Sequence, residues 1–149
     1  MEFLIHFHLM AAMAWIGGAI FMFILGVSLR DKTKQDQVYP NIGPIFGYFE
    51  VASLIILLSS GLLMANDKGL IDMFLAGDRS SEIGEIFYNK MMIVAFVMFF
   101  TILHFVIAFK TNGKKRTRVQ NMLSRGSSLM ILFLNFVALH YAIMLRNIL

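Results

Sequence analysis

Residues 87–109 read FYNKMMIVAFVMFFTILHFVIAF, an apolar run that carries one lysine and no carboxylate. A helix rises about 1.5 Å per residue, so this run is long enough to cross the roughly 30 Å hydrocarbon core of a bilayer. Similar runs lie at 3–29, 46–65 and 127–145. The sequence therefore predicts an all-α integral membrane protein, a bundle of four transmembrane helices.

The composition supports a membrane protein without a separate soluble domain. Hydrophobic residues make up 58% of the 149 residues and charged residues 15%, below the quarter that is typical of soluble domains. The run at 3–29 follows Glu2 with no basic leader, so we expect no cleaved signal peptide. The absence of cysteine excludes disulfides and thiolate metal ligands. We expect one transmembrane domain over the whole chain.

Charged residues between the runs predict the orientation. The first and third connections are basic, whereas the middle connection is mostly acidic. Positive loops stay in the cytoplasm, so both termini should face outward (N-out/C-out), in the bacterial inner (cytoplasmic) membrane. The basic cluster at 110–118 predicts contact with anionic lipid of the bilayer rather than with nucleic acid.

Ionisable side chains at membrane depth are costly, and they mark functional sites by default. The polar candidates within the runs are His6, His8, Glu50, Lys90, His104, Asn135 and His140. His8 and His140 each lie roughly 8 Å below the outer ends of their helices, whereas His104 lies about 24 Å from the outer end of its helix. His104 is therefore expected at a different membrane depth from His8 and His140.

Two histidines at one depth, on the first and last helices of a bundle, predict the axial ligands of one haem b. The side chains on the same helical face as His8 are small near the middle of the helix, and Trp15 on that face adds an aromatic wall. His6 points about 160° away from His8, towards the interface or lipid headgroups. His104 either ligates a second haem or acts as an ordinary hydrogen-bonding histidine.

Other polar residues leave alternatives open. Lys90 could pair with a haem propionate or an anionic substrate, or snorkel to the headgroups. Glu50 is expected at the cytoplasmic interface. The 12 methionines are mostly core filler, but with His6 and His8 they also suggest a Cu(I) transport protein.

Three motifs carry a resemblance to a known family. Residues 8–18, HLMAAMAWIGG, resemble the His-(six residues)-Trp-x-Gly/Ala-Gly opening of the HemJ-type protoporphyrinogen IX oxidases and the related CopD-like membrane proteins. Residues 61–65, GLLMA, and 88–92, YNKMM, are similar to the second and third helices of the HemJ group. At 124–128 this chain has SRGSS, where that group carries an Asn-Glu-x-Pro-like element.

The resemblance implies a b-type haem held partly by His8, with Lys90 important for activity. It also implies oxidation of a porphyrinogen with electrons passed on to quinone, or copper handling on the CopD side. From the residues, the expected function is a membrane b-type cytochrome that relays electrons, with His8 and His140 as axial ligands. The alternatives are a porphyrinogen or quinol oxidase, a copper transport protein, and a non-catalytic subunit of a respiratory complex. Expected partners are quinone or another redox protein, and a second copy of the chain through close contact at Gly17 and Gly18.

Overall fold

A computed structural model describes residues 2–149, and all regular structure within them is helical. The helices are α1 (Glu2–Ser28), α2 (Lys32–Asp67), α3 (Leu70–Leu75), α4 (Glu82–Lys110) and α5 (Arg118–Ile148). All except α3 are long and apolar enough to cross a membrane. The predicted all-α fold is confirmed, and it contains the four predicted helices that are suited to span a membrane.

Two helices begin well before the apolar runs that predicted them. The N-cap of α2 is Asp31, which accepts a hydrogen bond from the backbone of Thr33, and α2 continues through Pro40 and Pro44. The N-cap of α5 is Thr117, which forms a capping box with Gln120. Side-chain caps satisfy the free N–H groups of the first turn, so these helices extend as polar turns beyond their apolar segments.

The transmembrane helices form two antiparallel hairpins, α1–α2 and α4–α5. The hairpins meet where α1 packs on α5, and α3 lies between α2 and α4. We call the end that carries α3 the α3 end. The opposite end, which holds the α1–α2 turn and the 111–117 loop, we call the basic end. Short tight connections place sequence neighbours side by side, as in other up-and-down bundles.

Two clusters of buried apolar residues hold the bundle together. At the α3 end, Leu70 of the short helix is 3% exposed and packs with Ile86 and Phe87 of α4. The second cluster, which we call the central cluster, is formed by Trp15, Leu54, Val97 and Ile131, one from each transmembrane helix. Many large apolar side chains elsewhere are exposed. Such an extensive apolar surface is suited to contact with lipid.

Candidate functional site

A hydrogen bond to Ser60 of α2 orients the His8 ring and determines which ring nitrogen carries the proton. Its Nδ1 lies 3.0 Å from Oγ of Ser60, and the Ser60 hydroxyl donates to the carbonyl of Ile56 at 2.6 Å. Because the single hydroxyl proton of Ser60 points to its own helix, Oγ must accept the hydrogen bond from His8. Nδ1 therefore carries the proton, and the lone pair of Nε2 is left free.

The close approach of the His8 ring to α2 depends on a glycine. A Cβ placed on Gly61 would lie 2.9 Å from Cε1 of His8, too close for van der Waals contact. Gly61 belongs to the motif at 61–65, and Ser60 immediately precedes it. The imidazole is thus fixed by one hydrogen bond and by the space that the missing side chain leaves.

Lys90 of α4 lies towards the α3 end of the bundle, as His8 of α1 does. It is half-buried. Lys90 is about 12 Å along α4 from Glu82, and His8 about 9 Å along α1 from Glu2, so the two residues lie at similar depth. The ion pair between Arg79 and Glu85 does not involve Lys90. A half-buried lysine and a half-buried imidazole therefore lie at similar depth near the α3 end.

Trp15 and Asn135 form the next polar layer. Trp15 is 3% exposed and Asn135 4% exposed, and Nε1 of Trp15 donates to Oδ1 of Asn135 over 3.0 Å. Trp15 follows His8 by seven residues and so shares its helical stripe. Nδ2 of Asn135 is buried without a hydrogen-bond partner among residues 2–149. The sequence identified Asn135 as a polar residue at membrane depth but gave it no role.

The structure differs from the predicted inward facing of His140. Its side chain is exposed, with its ring 5.9 Å from that of Tyr141. The buried face of α5 includes Ser127, Ile131 and Asn135, and His140 is turned about 140° from Asn135. As an axial ligand His140 was expected to face the interior, but large apolar neighbours such as Phe133 and Phe136 are exposed with it. His140 therefore does not face His8 across the bundle.

His104 forms a second polar site near the basic end. Its Nδ1 lies 3.1 Å from the carbonyl oxygen of Ser124 and 3.1 Å from Oγ of Ser127. A carbonyl only accepts, so Nδ1 carries the proton here too. Arg116 covers this site, since it donates to Thr111 Oγ1 at 2.8 Å and to Ser124 Oγ at 3.3 Å. His104 thus has the hydrogen bonds expected of a structural histidine.

Two further candidates lie apart from these sites. His6 is exposed and its Nδ1 donates to the carbonyl of Glu2 at 2.8 Å, so its predicted outward facing is confirmed. Glu50 is half-buried well inside α2, and a Cβ added at Gly18 would lie 3.9 Å from its Oε1. The helix that carries Glu50 begins earlier than predicted, at Lys32, and the placement of Glu50 at the cytoplasmic interface stays a prediction.

Two hollows lie along α4. One is the space between α2 and α4, about 260 Å³, which we call the α2–α4 hollow. Its walls are Val51, Leu54, Ile55, Leu58, Met98, Thr101, Ile102, Phe105 and Val106. A second hollow of about 300 Å³ lies between Met92, Ala95, Phe96 and Phe99 on α4 alone. Neither hollow is lined by a histidine, and residues 2–149 contain no group of three or more His, Cys, Asp or Glu that could hold a metal ion.

No protein-family model, curated protein or solved structure matches this chain. The fold and the site define a small multi-helix protein suited to a lipid bilayer, with an oriented imidazole and a lysine in its interior. The resemblance to the HemJ and CopD-like proteins rests on residues 8–18, 61–65 and 88–92 alone.

Proposed function

We propose that this protein is a haem-dependent membrane oxidoreductase in which His8 ligates the iron. The observation that carries the proposal is the hydrogen bond from His8 Nδ1 to Ser60. Metal-ligating histidines usually donate their second ring N–H to an oxygen acceptor, which fixes the tautomer and the ring orientation. In this arrangement His8 offers Nε2, the ligand atom that haem iron requires.

Three features of the residues around His8 support the proposal of a haem b. Ser60 holds the required tautomer, Gly61 leaves room for the ring, and Trp15 adds an aromatic surface about two helical turns deeper. Lys90 supplies a positive charge at the level of His8, suited to a propionate or to an anionic substrate. When bound, haem supplies one-electron chemistry that these side chains lack. The protein contributes the ligand, a charge partner and an apolar environment.

The arrangement favours an oxidase of the porphyrinogen or quinol type over an electron relay. A relay keeps both axial positions of the iron filled, whereas an enzyme leaves one open for its substrate. At the depth of His8, the other histidines, His6 and His140, are exposed. The resemblance to the HemJ group, which includes both His8 and Lys90, supports the same choice. Lys90 would then bind an acidic group of the substrate.

The bis-histidine relay remains a second candidate because of depth. Trp15 and Asn135 are hydrogen-bonded and so lie at one level. His8 lies seven residues from Trp15 and His140 five residues from Asn135, both towards the α3 end, so the two histidines lie at nearly the same level. A rotation of α5 would be needed to bring them onto one iron.

We place the protein in the bacterial inner membrane with the basic end in the cytoplasm, as the positive loops favour. Self-association would use Gly17, which is open, rather than Gly18, which Phe46 covers.

The test is the visible spectrum of the full chain, expressed with haem supplied and purified in detergent. We expect a Soret band that shifts on reduction, and its loss in His8→Ala. Ser60→Ala should weaken haem binding about 10- to 100-fold, because the second hydrogen bond of the ligand is removed. The matched control is Ser59→Ala, since Ser59 is exposed and bonds only to Ile55 of its own helix.

The remaining variants separate the alternatives. His140→Ala should leave the spectrum unchanged for an oxidase, whereas conversion from low-spin to high-spin haem would support the relay. A protein that stays colourless with haem supplied would overturn the proposal. Stoichiometric copper in that colourless sample would support the copper transport alternative.

A further inference from the structure

The carboxyl group of Glu50 lies well along the α1–α2 hairpin, away from both of its ends. Its Oε1 lies against α1, since a Cβ added at Gly18 would be 3.9 Å from it. Gly18 is about 15 Å along α1 from Ser28 and about 24 Å from Glu2. Glu50 also precedes Leu54 of the central cluster by four residues and so shares its face of α2. If α1 spans the bilayer, this carboxyl lies in the hydrocarbon core, about 15 Å from the basic end.

The neighbouring helices offer this carboxyl no charged partner. Residues 9–29 of α1 contain no ionisable side chain, and Asp72 of α3 lies at the opposite end of the hairpin. On α4, His104 is the ionisable residue closest in depth, and its Nδ1 donates to Ser124 of α5. Tyr48 of α2 is exposed, and the one ion pair among residues 2–149 lies at the start of α4. A carboxylate at this depth would be a buried charge without a counter-charge, which favours the neutral, protonated carboxyl.

Two glycines leave open space on the same side of α2. Gly43 precedes Glu50 by seven residues and lies within about 20° of it around the helix, and Gly47 lies between the two. Both glycines are half-buried, yet a Cβ at either would meet no atom within 4 Å. The open space beside them covers about 10 Å of α2, from the carboxyl towards the basic end. We call this stretch the glycine path.

Polar groups lie at the far end of the glycine path. The hydroxyl of Tyr39 would be 3.5 Å from a Cβ added at Gly26 of α1, so it lies between the two helices. Pro44 has no N–H, and the carbonyl of Pro40 therefore lacks the hydrogen bond of a regular helix. Internal water needs about two to four polar partners. The hydroxyl and the free carbonyl offer such partners between the carboxyl and the basic end.

The chemistry around Glu50 favours a proton over a metal ion as its ligand. A metal cation needs several ligands, and residues 2–149 contain no group of three or more His, Cys, Asp or Glu that could hold one. The nearest hydroxyl on α2, that of Ser53, donates to the carbonyl of Phe49 at 2.9 Å. A proton needs only the carboxyl itself.

We propose that Glu50 is a proton-binding site in the bilayer interior, and that it exchanges its proton with the basic end along the glycine path. The inference does not rest on the proposed function, because none of these residues takes part in holding haem. It can therefore be tested in the full chain with or without haem.

The first test compares two carbodiimides on the full chain in lipid vesicles at neutral pH. Dicyclohexylcarbodiimide enters the bilayer and reacts with protonated carboxyls. The carboxyl proton passes to a nitrogen of the reagent, the oxygen bonds to its central carbon, and the adduct rearranges to a stable N-acylurea. Mass spectrometry should find this adduct on Glu50 and not on Glu82, which is exposed in the first turn of α4. A water-soluble carbodiimide should leave Glu50 unmodified.

Infrared spectra test whether the proton exchanges. The full chain should show the C=O band of a neutral carboxyl at neutral pH, and Glu50→Gln should remove it. In D₂O the band should shift to lower wavenumber as the proton is replaced. Gly47→Leu places a side chain in the glycine path and should slow this shift at least about tenfold while keeping the band, because water is excluded from the bilayer core. The matched control is Gly126→Leu, on an exposed and equally open part of α5, which should have no effect.

Four results would overturn the inference. Modification of Glu50 by the water-soluble reagent would place the carboxyl at the interface. A C=O band that never shifts in D₂O would show a sealed, structural carboxyl, and an unchanged rate in Gly47→Leu would remove the glycine path. Protection of Glu50 from dicyclohexylcarbodiimide by sodium at constant pH would show a metal-ion site instead. The labelling needs no variant, so it decides the matter even if Glu50→Gln does not fold.

Discussion

Trp15 on α1 donates its indole N–H to Asn135 on α5 over 3.0 Å, and this bond joins the two helical hairpins. The other hydrogen bonds of buried polar side chains act within a hairpin. His8 bonds to Ser60 between α1 and α2, and His104 bonds to Ser127 between α4 and α5. Among residues 2–149, the Trp15–Asn135 pair is the one side-chain hydrogen bond between hairpins. It fixes their relative height at the level of the central cluster.

We expect Trp15 and Asn135 to be energetically coupled. A double-mutant cycle with Trp15→Phe and Asn135→Leu should give a coupling energy of about 0.6 to 1.7 kcal/mol, the range of hydrogen bonds between membrane helices. The free energy of unfolding in mixed micelles measures it. Trp15→Phe combined with Ser127→Ala is the control and should be additive, because these residues share no partner. Additivity of the first pair would contradict a bond between the hairpins.

His104 is expected to stabilise the α4–α5 hairpin without holding haem. His104→Leu should lower the free energy of unfolding by about 0.5 to 1.5 kcal/mol, because it removes the hydrogen bonds donated by Nδ1 while the Ser124 carbonyl still accepts from Ser127 Oγ. His104→Asn, which keeps a donor near the position of Nδ1, should recover part of this loss. Haem per polypeptide should stay the same in both variants.

Haem content decides between the two roles of His104. A parent ratio near two haems per chain that falls to near one in His104→Leu would show that His104 ligates a second haem. Ser127→Ala should reproduce part of the loss of stability, and Ser128→Ala, its half-buried neighbour, serves as control.

The four transmembrane helices could be predicted because the bilayer sets a minimum apolar length that the sequence meets four times. The parts of α2 and α5 that lie outside the apolar runs could not be predicted to be helical. Their helical state depends on caps such as Asp31 and Thr117, not on hydropathy. The six-residue helix α3 was also not predicted, because Leu70 is buried through tertiary contact with α4.

The candidate site was partly predictable for a similar reason. The opposite facing of His6 and His8 follows from helical spacing alone, and the structure confirms that His6 is exposed. The facing of His140 could not be read from its neighbours, because α5 turns Ser127 and Asn135 inward and leaves large apolar side chains to the outside. The tautomer of His8 and the free donor of Asn135 depend on partners far along the chain. Such pairings need a tertiary structure.

The orientation in the membrane can be tested by cysteine labelling, since the chain contains no cysteine. Ala76→Cys lies in the exposed loop before α4, and Asn112→Cys lies in the exposed loop before α5. Neither side chain makes a hydrogen bond that holds its loop, so the fold should tolerate both changes. Since positive loops stay in the cytoplasm, a membrane-impermeant maleimide should label Ala76→Cys in intact spheroplasts. Asn112→Cys should react only after permeabilisation, and Ala95→Cys, within the apolar part of α4, should react in neither case. The reverse pattern would place the basic loops outside. It would also move His8 and Lys90 to the cytoplasmic half of the bilayer, so that any substrate of this site would have to approach from the cytoplasmic leaflet.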